Sequence, residues 1–195
     1  MKLFLQIMVT ALAGAALGLA ATHFMVSRGL SFDRVMAGPW RAMPQVPATG
    51  GDPYARAAIA RSGQAPLGVA EGLAFTAVID SDGATLDAAC DYRVSGAVPP
   101  TRFWTLTVTD ADGKLVASAA RQVRRAGFTS SEILRDGVGG FQIVLAREAR
   151  AGNWLPLAQP GSFMLALRLY DSPHSLQAGV LDAAEMPTIV VERCP

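Results

Sequence analysis

The sequence predicts a mainly β protein: a jelly-roll-like antiparallel β-sandwich with one short helix, behind an amino-terminal transmembrane helix. Three observations carry that expectation. The chain opens on a long apolar run from Leu3 to Val26. From Gly68 onward it breaks into short alternating stretches separated by Gly, Pro and Asp-Gly punctuation, the pattern of a sandwich or jelly roll. The stretch Arg102–Asp110, Arg-Phe-Trp-Thr-Leu-Thr-Val-Thr-Asp, puts Trp104, Leu106 and Val108 on one face and Phe103, Thr105, Thr107 and Thr109 on the other. Its two aromatics and β-branched residues make it the expected central strand, with one packed face and one hydroxyl-bearing face.

The apolar run is interrupted only by Gln6, Thr10, Thr22 and His23. As a helix it spans roughly 36 Å, enough to cross a hydrocarbon core of about 30 Å. Lys2 precedes it and Arg28 and Arg34 follow, so flanking charge is nearly balanced and does not orient it. A short amino-terminal tail favours an inside amino end and an outside domain. The rival is a cleavable signal peptide, for which Gly18-Leu19-Ala20 offers a small-x-small site; the run continues through Phe24-Met25-Val26, which favours an uncleaved anchor. Gly14 and Gly18 form a GxxxG that would let the helix pack closely on another.

Residues 1–27 are therefore expected as the anchor and 28–51 as a linker or extended arm, rich in Pro and Gly. Trp40 in that arm serves as a membrane-interface anchor or as a plug for the domain. Residues 52–195 form the β-sandwich domain, opened by a helix over 52–62. Asp52 caps that helix, Pro53 suits its first position and Gly63 its stop. Strands are expected around Leu73–Ile79, Cys90–Ser95, Arg102–Asp110, Leu115–Ala120, Gly140–Leu145, Ser162–Tyr170 and Thr188–Arg193.

Composition narrows the function. Of 195 residues, 51% are hydrophobic and 17% charged, with formal charge +1. Setting Lys2 aside, basic and acidic side chains are equal in number, so nucleic-acid binding has no support. Cys90 and Cys194 are the two cysteines, and His23 and His174 the two histidines. That is too few for a Cys/His metal site, and no metal or other cofactor is expected. One cysteine pair in an exported domain reads as one disulfide; two free buried thiols would instead fit a cytoplasmic domain.

The candidate site residues each have a plainer reading. The Asp-x-Asp-Gly turns at 80–83 and 110–113 resemble calcium loops but lack a distal bidentate Glu, and they suit hairpin turns better. Within Gly152-Asn-Trp-Leu-Pro, Trp154 offers a stacking platform and Asn153 hydrogen bonds, or the loop simply plugs the sandwich. Arg102 and Arg168, beside Trp104 and Tyr170, offer an anion clamp, or else pair with Asp91, Asp110 or Asp171 between strands. His174 has no serine nucleophile motif to work with, and no catalytic residue is assigned.

Several stretches together resemble the domain of unknown function family DUF1214. They are Asp80-Ser-Asp-Gly with Leu86, Tyr92-Arg-Val, Arg102–Asp110, Asp136-Gly137, Gly152-Asn-Trp-Leu-Pro, and Phe163 through Arg168-Leu-Tyr170, covering residues 68–172. The resemblance implies a jelly-roll-like sandwich and no established activity. In that family the β domain often follows a second uncharacterised domain, DUF1254. Here a membrane segment and a helix stand in its place, and the strand after Gly113 lacks the aromatic tract of longer members.

The expectation for function is a non-catalytic, ligand- or partner-binding module on the inner membrane, single-pass, with its domain in the periplasm. The alternative is a hydrolase-like enzyme acting on a carbohydrate or lipid-derived substrate, with two carboxylates converging beside Trp154. A third is a structural partner of another membrane protein, joined through Gly14 and Gly18.

Overall fold

The computed structural model describes residues 2–27, 35–42, 52–62, 67–68, 70–111, 113–115, 125–157, 161–173 and 181–194. The apolar run is one helix, α1 (Lys2–Ser27), with none of its residues buried. It is long and apolar enough to cross a membrane. The second helix, α2 (Pro53–Ser62), begins where its cap predicts: the Asp52 carboxylate accepts the Tyr54 N–H at 2.9 Å. Being only 10 residues long, it needs docking to persist, and it buries Ala55 and touches α1.

Among the described residues, ten strands form two sheets. The larger holds β1 (Val35–Ala37), β2 (Trp40–Ala42), β3 (Gly72–Ala77), β9 (Phe163–Tyr170), β5 (Phe103–Asp110) and β6 (Gly127–Thr129), in that spatial order. The smaller holds β10 (Thr188–Arg193), β4 (Asp91–Gly96), β7 (Phe141–Ala146) and β8 (Asn153–Pro156). One continuous core joins their inner faces. Trp104 of β5 stacks at 4.9 Å on Phe141 of β7, and Tyr92 of β4 meets the edge of Phe163 of β9 at 5.6 Å.

The alternation read in β5 is the alternation observed: Trp104, Leu106 and Val108 are buried, facing Leu169, Leu167 and Leu165 across the ladder. Those leucines meet Leu73, Phe75 and Ala77 of β3 on their other side. Each fully buried leucine contributes about 2–3 kcal/mol of apolar transfer. The central strand, however, is β9 and not β5. Phe163, Met164, Leu165, Ala166 and Leu167 are all buried, so β9 is covered on both faces. Such a strand shows a continuous apolar run, which conceals its position from periodicity.

Three further expectations change. The arm over 28–51 is not all linker: β1 and β2 form a hairpin on the larger sheet, closed by Gly38 (φ +60°) and Pro39. Glycine first in a two-residue hairpin loop fits the strand twist. Trp40 is wholly buried and donates its indole N–H to the Pro187 carbonyl at 2.7 Å, so it plugs the domain. Second, Asn153–Pro156 is a strand, and it runs parallel to β7, so the sandwich is not purely antiparallel. Third, the three-residue β6 had no readable periodicity. The strand expected at Leu115–Ala120 lies, beyond Leu115, outside the described residues, as does His174.

Candidate functional site

The candidate site is an open groove of about 530 Å3 on the outer face of the smaller sheet. It is lined by Asp91, Arg93 and Ser95 of β4, by Val190 to Arg193 of β10, and by Arg150. Alternation explains the β4 wall: Tyr92 and Val94 point into the core, so Asp91, Arg93 and Ser95 point out. A bulge explains the β10 wall. Val191 pairs with Tyr92, but Arg193 rather than Glu192 pairs with Asp91. The extra residue brings Arg193 opposite Asp91 and leaves Glu192 to reach Arg93. Arg150 comes from the segment that returns from the end of β7 to start the parallel β8.

The charges of the groove hold one another. The Asp91 carboxylate, 14% exposed, accepts Nη2 of Arg150 at 2.9 Å and Nη2 of Arg193 at 3.2 Å on the same Oδ2. Arg93 pairs with Glu192. Arg150 also lies 3.4 Å from Glu148. The hydrogen bond that Arg150 donates to Asp91 raises the Arg150 pKa, so that guanidinium stays charged. β10 is an edge strand, but its open side is partly closed: Ser81 donates to the Ile189 carbonyl and accepts the Ile189 N–H. At the end of the same ladder Cys90 and Cys194 are joined by a disulfide, with Cα atoms 4.3 Å apart.

The candidate residues named from sequence lie on both sheets and do not form one site. Trp104 is in the core, its indole N–H without a hydrogen-bond partner among the described residues. Phe103 and Tyr170 pack with ring centroids 5.8 Å apart. Arg102 pairs with Asp171 at 3.7 Å, with both side chains mostly exposed, a weak contact. Arg168 lies on the outer face of the larger sheet, opposite Thr105 and Ala74. On the other sheet, Asn153 is buried and its amide is fully used. It accepts the Leu134 N–H at 2.8 Å and donates to the carbonyls of Leu134 and Gln142 at 2.8 and 2.9 Å. Trp154, half-buried, donates to the Ala146 carbonyl at 3.0 Å.

The Asp-Gly turns share one construction. Asp80 and Asp110 each donate their N–H to the carbonyl four residues on, while the glycine three residues on donates back. Gly83 and Gly113 take φ of +90° and +83°. The Asp80 carboxylate accepts the N–H groups of Asp82 and Ala84, and that of Asp110 accepts Lys114 N–H. These carboxylates serve the turn. Asp136 to Gly140 is a third copy, with Gly139 at φ +86°. Its sequence, Asp-Gly-Val-Gly, lacks the second Asp of the other two.

The groove itself was missed from sequence, although Asp91 was named as an ion-pair partner. Its contacts join residues 59 and 102 apart in the chain, and no local pattern signals a bulge in β10.

The fold has a known counterpart. The VPA0106 protein from Vibrio parahaemolyticus is 25% identical and superposes with a TM-score of 0.57, over 72% of this chain and 35% of that one. An uncharacterized protein from Burkholderia cenocepacia is 20% identical, with a TM-score of 0.40, over 62% of this chain and 29% of the other. The chain thus spans about a third of the length of these structures. A search of curated proteins returned no match. The family model described as "Protein of unknown function (DUF1214)" matches residues 71–174, more than half of the chain and most of both sheets. The chain belongs to the DUF1214 family.

Proposed function

We propose that the protein is a membrane-anchored, non-catalytic binding module, held by α1 in the inner membrane with its sandwich in the periplasm. Its binding surface is the groove between β4 and β10. One observation carries this reading: the groove is open, yet its acids are already committed. Asp91 is held by two arginines and Glu192 by one. A carboxylate so engaged is a poor general base or nucleophile, because its lone pairs and charge are satisfied by the guanidiniums. A groove of this kind suits recognition, with Val190 as an apolar flank. The disulfide supports an oxidising compartment. The hydrolase alternative asks for two carboxylates beside Trp154, and Trp154 does not line the groove.

The test is site-specific photocrosslinking of the full chain in cells. A crosslinker at Val190 is expected to trap an adduct, while one at Val138, a 95% exposed turn residue, is not. Equal trapping at both positions would overturn the assignment. So would turnover of a glycan or lipid-derived substrate by the purified chain that is lost in Asp91→Asn. A reporter fused after Cys194 checks the orientation.

A further inference from the structure

We propose that the groove is an anion site, which takes a phosphoryl or carboxylate group between the guanidiniums of Arg93, Arg150 and Arg193. The proposal rests on reading the groove as the binding surface and adds the chemistry of what binds. Three arginines line it with Asp91 and Glu192, and Glu148 beside Arg150 balances the third charge, so the groove offers directed donors and not net charge. A guanidinium carries five N–H donors in a fixed fork. Among the described residues, Arg193 gives one hydrogen bond, to Asp91. Arg93 has Glu192 as its partner. Arg150 gives Nη2 to Asp91 and only long contacts from Nη1, 3.4 Å to Glu148 and 3.5 Å to the Ala149 carbonyl. Among the described residues, most donors of the three forks therefore have no protein acceptor.

The arrangement differs from a scatter of surface charges in the role of Asp91. Both Arg150 and Arg193 bond the same Oδ2. Two like charges sharing one anchor are held side by side, which neither would adopt without it. The carboxylate itself is mostly shielded at 14% exposure, so it acts as a positioning residue beneath the arginines. Holding guanidiniums in place before the ligand arrives is what makes planar, bidentate recognition of an anion strong.

The experiment titrates the full chain, in phosphatidylcholine nanodiscs, with inorganic phosphate and separately with acetate, by calorimetry. Saturable binding of either anion is expected. Arg150→Gln and Arg193→Gln are each expected to weaken it about tenfold, and Arg61→Gln, on α2, to leave it unchanged. Asp91→Asn is the deciding variant. It makes the groove more positive, so a diffuse charged patch would bind tighter; a positioned site binds more weakly. Tighter or unchanged binding in Asp91→Asn overturns the proposal. Should that variant unfold, Arg150→Lys decides: it keeps the charge but loses the fork, so weakening supports the site and no change overturns it. Repeating the titration in nanodiscs containing phosphatidylglycerol assigns the source. Abolished phosphate binding there marks a lipid headgroup as the occupant, and unchanged binding marks a soluble anion. If neither anion binds saturably but the Val190 adduct forms, the anion chemistry fails and the groove stands; if both are absent, both fail.

Discussion

Replacing Cys90 and Cys194 together by Ser removes a crosslink between residues 104 apart. In the chain-entropy treatment, closing a loop of that length restricts the unfolded ensemble by about 4–5 kcal/mol at 25 °C. Losses in the folded state are local by comparison. β10 keeps its pairing of Ile189 with Val94, two hydrogen bonds between Ser81 and Ile189, and the Trp40 bond to Pro187. The double variant is therefore expected to fold, with its melting temperature lower by roughly 10–20 °C for a domain of this size. Urea unfolding of the full chain in neutral detergent measures the free energy. Hydrogen exchange locates it: amides from Val191 to Cys194 should exchange faster, while Ile189 keeps most of its protection. A loss below about 1 kcal/mol would refute the loop-closure reasoning. Equal acceleration over β4, β7 and β10 would refute the view that the bond pins only one end of β10.

Other perturbations test other parts. Gly72 has φ +152°, and a Cβ built there overlaps the Leu169 carbonyl oxygen of the central strand, so Gly72→Ala is expected to cost about 3 kcal/mol or more, read as a fall in the urea midpoint. Asn153→Asp keeps the acceptor for Leu134 N–H but turns oxygen toward the carbonyls of Leu134 and Gln142. It should cost about 3 kcal/mol at neutral pH, and less below about pH 4, where a protonated Asp regains a donor. Burial raises the Tyr92 pKa above 10.0, partly offset by the hydrogen bond from Asp87 N–H. An acid whose pKa is raised by folding contributes stability that is fully present below the unfolded pKa and lost as pH rises through the folded one. Alkaline melts should thus show a decline above pH 10.0 that is shallower in Tyr92→Phe.

Periodicity is a local property, and what it determined was local. The α1 span, the Asp52 cap of α2, the inward face of β5 and the boundaries of β10 all follow from residues within a few positions of one another. The pairing of Cys90 with Cys194 followed from having two cysteines and no other use for them. Short strands escaped because three residues are too few to show a period: Val35-Met36-Ala37 and Trp40-Arg41-Ala42 read as linker around Gly38-Pro39. Asn153 reads as a ligand residue because nothing local in the sequence shows that Leu134 and Gln142 consume its amide.

Residues close together in the chain were enough for an apolar helix long enough to cross a membrane, a β-sandwich and membership of a family. Tertiary structure alone decided which strand is central and where a groove opens. The reason is physical. Burial on both faces makes β9 look the same whatever its neighbours, and the groove depends on a one-residue bulge in β10. Shift that register by a single residue and Arg193 no longer faces Asp91.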